Sequence, residues 1–215
     1  MDFSSIDLTT VVDIFLLLLI GIGPKIALVP FLELTAKMDG QTRDRVIRKM
    51  LRTAFITAVL LMVFGGLLTR LLHFSTGALA IAGGIILLVI STAMILSRGE
   101  GQTQQTSRAA TGPLQLAVFP LAVPYLLNPA GIVTLVTISA EARSLGFFAI
   151  TFGLLALVLG IDVVIFRWAN QVSAHLDAGR MLVTEKVFGF LLAALAVQLI
   201  LDGLSDVGVI HLVGH

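Results

Sequence analysis

Six stretches of this chain are apolar for long enough to cross a lipid bilayer, and the polar joints between them are short. A hydrocarbon core of about 30 Å needs about 20 apolar residues in helical form. The stretches run Val11 to Thr35, Thr53 to Leu72, Gly77 to Leu96, Leu114 to Ala140, Phe147 to Ala169 and Val187 to Leu204. No joint has room for a globular domain. The pattern predicts an all-α integral membrane protein of six spans. The residues before the first span, Met1 to Asp7, are acidic and polar. A cleaved secretory signal needs a basic start and a small-residue cleavage site, so the first run is read as a retained span.

Composition points the same way. Of the 215 residues 57% are hydrophobic and 13% charged, and mean hydropathy is +1.03. A soluble domain carries about 25% charged residues, and half that supply cannot clothe a water-facing surface. The lipid bilayer is therefore the solvent for most of the chain. A net charge of +1 gives no reason to expect nucleic acid as a partner, and the absence of cysteine excludes disulfides, thiolate metal sites and a cysteine nucleophile. The four histidines, His73, His175, His211 and His215, fall outside or at the ends of the apolar runs. No metal site, no cofactor and no enzymatic chemistry is expected.

Lysine and arginine orient the spans. Eleven of the 14 basic residues fall in the odd-numbered loops: Lys37, Arg43, Arg45, Arg48, Lys49 and Arg52, then Arg98 and Arg108, then Arg167, Arg180 and Lys186. Only Arg70 and Arg143 lie on the other side, and Lys25 is inside span 1. The odd loops are thus expected in the cytoplasm and both termini outside the inner (plasma) membrane. Residues 39–52 read as a short basic helix leading into span 2, with Val46, Ile47, Met50 and Leu51 against the membrane.

Two landmarks recur at one interval. Gly23-Pro24 interrupts span 1 and Asn128-Pro129 interrupts span 4, 105 residues on. Gly84 in span 3 and Gly189 in span 6, each followed by a run of large apolar residues, are also 105 apart. This predicts two three-span repeats, residues 1–97 and 114–215, joined by a polar cytoplasmic linker over 98–113. Three spans is an odd number, so the second copy lies inverted, an arrangement characteristic of secondary transporters.

The interruptions are the expected site. Proline removes a backbone hydrogen bond from a helix, and spans 1 and 4 carry Pro24 and Pro30, and Pro120, Pro124 and Pro129, beside glycines. Broken helices present free N–H groups and a partial positive charge at their new N-termini, which suits an anionic group. Gly23, Pro24, Lys25 and Ala27 from span 1, with Asn128, Pro129, Ala130 and Gly131 from span 4, are the candidate substrate-binding residues. Two ionisable groups lie deep in the spans, Lys25 and Asp162. Each alone costs about 2.5–3.5 kcal/mol at mid-membrane, so the two are expected to pair. Gly65-Gly66, Gly83-Gly84 and the seven-residue series Gly146, Gly153 and Gly160 are expected where neighbours approach closely, and Gln198 to hydrogen-bond between helices.

At these motifs the chain resembles the MarC family, six-span bacterial inner-membrane proteins that include the SnatA-type neutral amino acid transporters. The resemblance rests on Gly23-Pro24-Lys25-Ile26 running into Phe31-Leu32-Glu33-Leu34-Thr35, on Ala82-Gly83-Gly84-Ile85-Ile86-Leu87-Leu88, on Pro120-Leu121-Ala122-Val123-Pro124 with Asn128-Pro129, and on Gly189 to Ala194 with Gln198 and Asp202-Gly203. Against the family's Asn-Pro-x-Gly pattern, Gly23 stands for the asparagine, Ile26 for the glycine, and Lys25 for an apolar residue. The resemblance implies a secondary transporter of a small-molecule substrate, an amino acid or related small acid, coupled to H+ or Na+. The alternatives are an uncoupled exporter or channel of the same fold, and a non-transporting membrane scaffold.

Overall fold

The structure, a computed structural model, describes residues 8–36, 38–96, 112–141, 144–172 and 178–210. The predicted linker lies almost wholly outside them. The described residues form helices α1 (Leu8–Gly21), α2 (Pro24–Thr35), α3 (Gly40–Leu72), α4 (Thr76–Leu96), the single turn α5 (Pro113–Leu116), a π-helical segment (Ala117–Leu126), α6 (Pro129–Glu141), α7 (Leu145–Val172) and α8 (Ala178–Asp206). The molecule is an all-α, multi-pass membrane bundle. Among the described residues four stretches are long and apolar enough to cross a bilayer: Gly40–Leu72, Thr76–Leu96, Leu145–Ala169 and Lys186–Asp206. The stretches predicted as spans 1 and 4 are each divided, and α1, with 14 residues, rises only about 21 Å.

Proline chemistry accounts for the divisions. Pro24 stands in the first turn of α2, where its missing N–H is no loss, and the Gly23 before it is extended. Pro120 and Pro124 each follow a residue in extended conformation, Phe119 and Val123, so the segment before α6 is kinked twice. Pro129 opens α6.

Two bodies of packing follow. In the larger core α7 lies against α1, α2 and α3, burying Ile14, Leu18, Phe31, Leu155, Val158 and Phe166. Phe31 meets Phe166 edge to face, with ring centroids 5.3 Å apart, a geometry that contributes about 0.5–1.5 kcal/mol beyond burial. The most extensive helix pair is α4 with α8. Glycines let these two backbones touch: a Cβ on Gly84 would stand 2.7 Å from the Ala196 carbonyl oxygen, and one on Gly189 would stand 3.3 Å from that of Ser91. Gly65 and Gly66 of α3 are as close to α6 at Val136, Ser139 and Ala140.

Three expectations change here. The basic segment is not a separate helix but the first turns of α3, which runs unbroken for 33 residues. Its Val46, Ile47, Met50 and Leu51 are buried in the protein core rather than turned to lipid, because α3 is packed by the π segment, α6 and α7. Gly153 and Gly160 have open space where a Cβ would stand; their side of α7 faces away from the bundle. Gln198 donates to Asp202 of its own helix at 2.8 Å, because four residues is one turn and the pair shares a face.

Two helix ends are tied by basic side chains. Arg43 Nε donates to the Thr35 carbonyl at 2.9 Å and its Nη2 to that of Ala36 at 3.1 Å, closing the end of α2 onto α3. Lys186 Nζ donates to the Met94 carbonyl at 2.8 Å, tying α8 to the end of α4.

Candidate functional site

A helix broken inside a membrane leaves backbone N–H and C=O groups that no water can satisfy, at several kcal/mol each. This chain satisfies them by placing its two breaks against each other. Ile22 and Leu127 form an isolated antiparallel bridge. Across it the Gly23 N–H donates to the Leu126 carbonyl at 3.2 Å and the Asn128 N–H donates to the Gly21 carbonyl at 3.0 Å. The two donors are 105 residues apart in sequence, and so are the two acceptors.

The Asn128 side chain finishes the junction. Its Nδ2 donates to the Ile20 carbonyl at 2.9 Å, and its Oδ1 accepts from the Gly131 N–H at 3.0 Å. The second bond is an N-cap on α6, and the first ties that cap to the end of α1. Position 23 has no counterpart, because glycine offers no side chain and α2 begins without a side-chain cap. Glycine is required there: a Cβ would stand 2.7 Å from the Leu19 carbonyl oxygen. The two half-helix N-termini therefore differ. The one at α6 carries a side-chain cap, and the one at α2 does not.

The predicted site residues fall as follows. Gly23, Asn128, Pro129, Ala130 and Gly131 are buried at the junction, Ala27 is buried in the core one turn into α2, and Pro24 is half-buried. Lys25 is exposed at the protein surface and lines a cavity of about 250 Å³ between the α1–α2 break and α8, with Ile20, Ile26, Phe188, Leu192 and Leu195 among its walls. Lys25 and Asp162 do not come together. Asp162 is fully buried on α7 with neither carboxyl oxygen hydrogen-bonded, whereas Lys25 turns toward α8 on the other side of α2. The predicted pair assumed that equal depth brings side chains into contact, but the rotation of each helix about its own axis decides that.

Sequence reasoning passed over Gly21, whose backbone lies directly on that of Gly131. It also passed over the Ile20 carbonyl and Thr151, a buried hydroxyl on α7 without a hydrogen-bond partner. The signal for Gly21 was present, since small residues flank both breaks. Nothing in the sequence marked Ile20.

The family described as MarC family integral membrane protein matches residues 8–207. The UPF0056 membrane protein MJ1677 of Methanocaldococcus jannaschii is 29% identical over 81% of this chain and 85% of its own length. The UPF0056 membrane protein YvbG of Bacillus subtilis is 28% identical over 81% of this chain and 84% of its own. The UPF0056 inner membrane protein MarC of Escherichia coli O157:H7 is 22% identical over 94% of this chain and 97% of its own. No solved structure matches the chain.

Proposed function

The chain belongs to the MarC family of integral membrane proteins, and from that premise we propose that it is a secondary transporter of a small polar solute, an amino acid or related small acid. It works by alternating access and draws on an H+ or Na+ gradient, like the SnatA-type neutral amino acid transporters it resembles. Family membership also fits a non-enzymatic role. The protein resides in the inner (plasma) membrane with both termini outside, as its basic residues favour.

The observation that carries the reading is the reciprocal bonding of the two breaks, Gly23 N–H to Leu126 and Asn128 N–H to Gly21. Shifting the first bond by 105 residues at both ends and exchanging the halves produces the second. The α4–α8 seam obeys the same rule: Gly84 lies on Ala196 and Gly189 on Ser91, and both Gly84 to Gly189 and Ser91 to Ala196 span 105 residues. This two-fold relation supports two inverted repeats, residues 1–97 and 114–215, joined by the linker 98–113, with α1–α2 and α5–α6 as the two broken spans of a six-span bundle. Broken helices meeting at the repeat interface are where transporters of this build hold their solutes.

The substrate site is the α2 side of the junction. Asn128, Pro129, Ala130 and Gly131, with Gly23 and Ala27, form its buried wall, and Pro24 and Lys25 its accessible edge. The uncapped start of α2 and the Lys25 ammonium favour a carboxylate, and the apolar walls from α1 and α8 suit a solute with little other polarity.

Purified protein reconstituted in proteoliposomes tests the reading. Labelled alanine, glycine and short monocarboxylates are supplied under imposed H+ or Na+ gradients, and at least one accumulates against its own gradient. Flux that ignores every ion gradient reassigns the protein to an uncoupled exporter or channel. An absence of both flux and ligand-dependent thermal stabilisation leaves a membrane scaffold.

A further inference from the structure

Asp162 lies on the buried stripe of α7 formed with Thr151, Leu155, Val158, Phe166 and Ala169. It has no solvent exposure, and neither carboxyl oxygen has a hydrogen-bond partner. The helices packed on α7 are α1, α2 and α3, and their ionisable side chains are turned elsewhere. Lys25 and Glu33 of α2 are exposed, as are Asp44, Arg45, Arg48, Lys49, Arg52 and Arg70 of α3 and Arg167 of α7 itself. Asp13 of α1 is half-buried, and Arg43 is committed to the Thr35 and Ala36 carbonyls. None of them donates to Asp162.

A carboxyl stripped of water and partners is sustained inside a protein only as the neutral acid. Among the described residues no three carboxylate or imidazole groups come together, and a hard cation takes several oxygen ligands at once. The other unpartnered buried oxygen on α7 is Thr151 Oγ1, three turns away or about 16 Å. A proton needs no second ligand, so a carboxyl standing alone among apolar side chains suits H+ as the ion it carries. Asp162 is seven residues from Ala169, the end of the apolar stretch, or about 10 Å from that interface.

Resting on the transporter reading above, we propose that Asp162 is the proton-carrying group of the transport cycle, so that the coupling ion is H+. One proton from the side of higher acidity converts the carboxylate to the neutral acid. The protein changes its facing state in that form, and release to the other side restores the carboxylate. The charged form does not cross the closed state, because nothing there compensates it.

Two measurements on reconstituted full-length protein decide this. In infrared difference spectra the wild type shows the C=O stretch of a protonated carboxylic acid at neutral pH; the band shifts in D2O, disappears in Asp162→Asn and moves in Asp162→Glu. In proteoliposomes, alanine counterflow, which needs no net proton movement, survives Asp162→Asn, while accumulation driven by a pH gradient falls at least tenfold. Absence of the band in the wild type, undiminished pH-driven accumulation in Asp162→Asn, or accumulation driven by Na+ alone overturns the proposal. Loss of counterflow in the wild type for every solute tried overturns the transporter reading instead, and the infrared band still reports whether Asp162 holds a proton.

Discussion

Gly21 and Gly131 lie backbone on backbone where the two helix breaks cross, so that a methyl group on either would occupy the place of the other's main chain. The contact joins the last residue of α1 to the first turn of α6. It also brings Asn128 within reach of both.

Gly21→Ala and Gly131→Ala should each destabilise the protein by about 1–3 kcal/mol, the range for overpacking against atoms that cannot yield. Gly153→Ala, where a Cβ meets nothing within 4 Å, should be neutral or stabilise by up to about 1 kcal/mol through helix propensity. Thermal unfolding of the three variants in one detergent makes the comparison. Equal melting temperatures for Gly131→Ala and Gly153→Ala would remove the close contact.

Asn128→Ala should cost about 2–4 kcal/mol. It removes a helix cap worth about 1 kcal/mol and leaves the Ile20 carbonyl unpaired in a buried site, at about 1–3 kcal/mol. Asn128→Ser retains an oxygen able to cap Gly131 and loses only the link to Ile20, so it should sit between wild type and alanine. A serine variant no better than alanine would show that the cap contributes nothing.

Lys25 and Asp162 should behave independently. Lys25→Met, Asp162→Asn and the double variant are expected to add within about 0.5 kcal/mol in stability, as sites without shared partners do. A coupling energy well above that, measured by the double-mutant cycle, would place the two charges together after all.

Asp39 caps α3, accepting from the Thr42 N–H at 3.1 Å, and its hydrogen bonds to Thr42 hold its carboxyl below the usual carboxylate range. With the folded value depressed, the stabilisation is present above the ordinary value of about 3.9 and is lost as pH falls through the lower folded one. Amide exchange at Thr42, corrected for intrinsic rate, should therefore rise in Asp39→Ala at neutral pH, and in the wild type only below about pH 4. A Thr42 amide equally protected in both proteins at pH 7 would show that the cap is idle.

Cysteine labelling is clean in a chain with no native cysteine. Thr9→Cys should react with an impermeant thiol reagent in intact cells, and Gln41→Cys only after permeabilisation; both positions are exposed in the fold. The reverse pattern would invert the proposed orientation.

The extent of the apolar runs and the positions of the prolines were legible in the sequence, for local reasons. Bilayer thickness sets how long an apolar run must be, and proline interrupts a helix wherever it stands because it has no N–H to give. Hence Gly23-Pro24 and Asn128-Pro129 were where the sequence led one to expect interruptions. The tertiary structure alone decided what each helix face meets. A helix that is apolar all round, as α4 is, carries no stripe to say which side is inward, and rotation about its axis is settled by its neighbours. That is why Lys25 and Asp162 could be matched in depth and yet point apart. It is also why Gly153 looks outward while Gly65 and Gly66 are gripped, and why the basic start of α3 buries Val46 and Met50 in protein. The bond from Asn128 to the Ile20 carbonyl joins main chain and side chain 108 residues apart. Only the folded chain brings them together, because a backbone carbonyl carries no mark of its partner in the sequence.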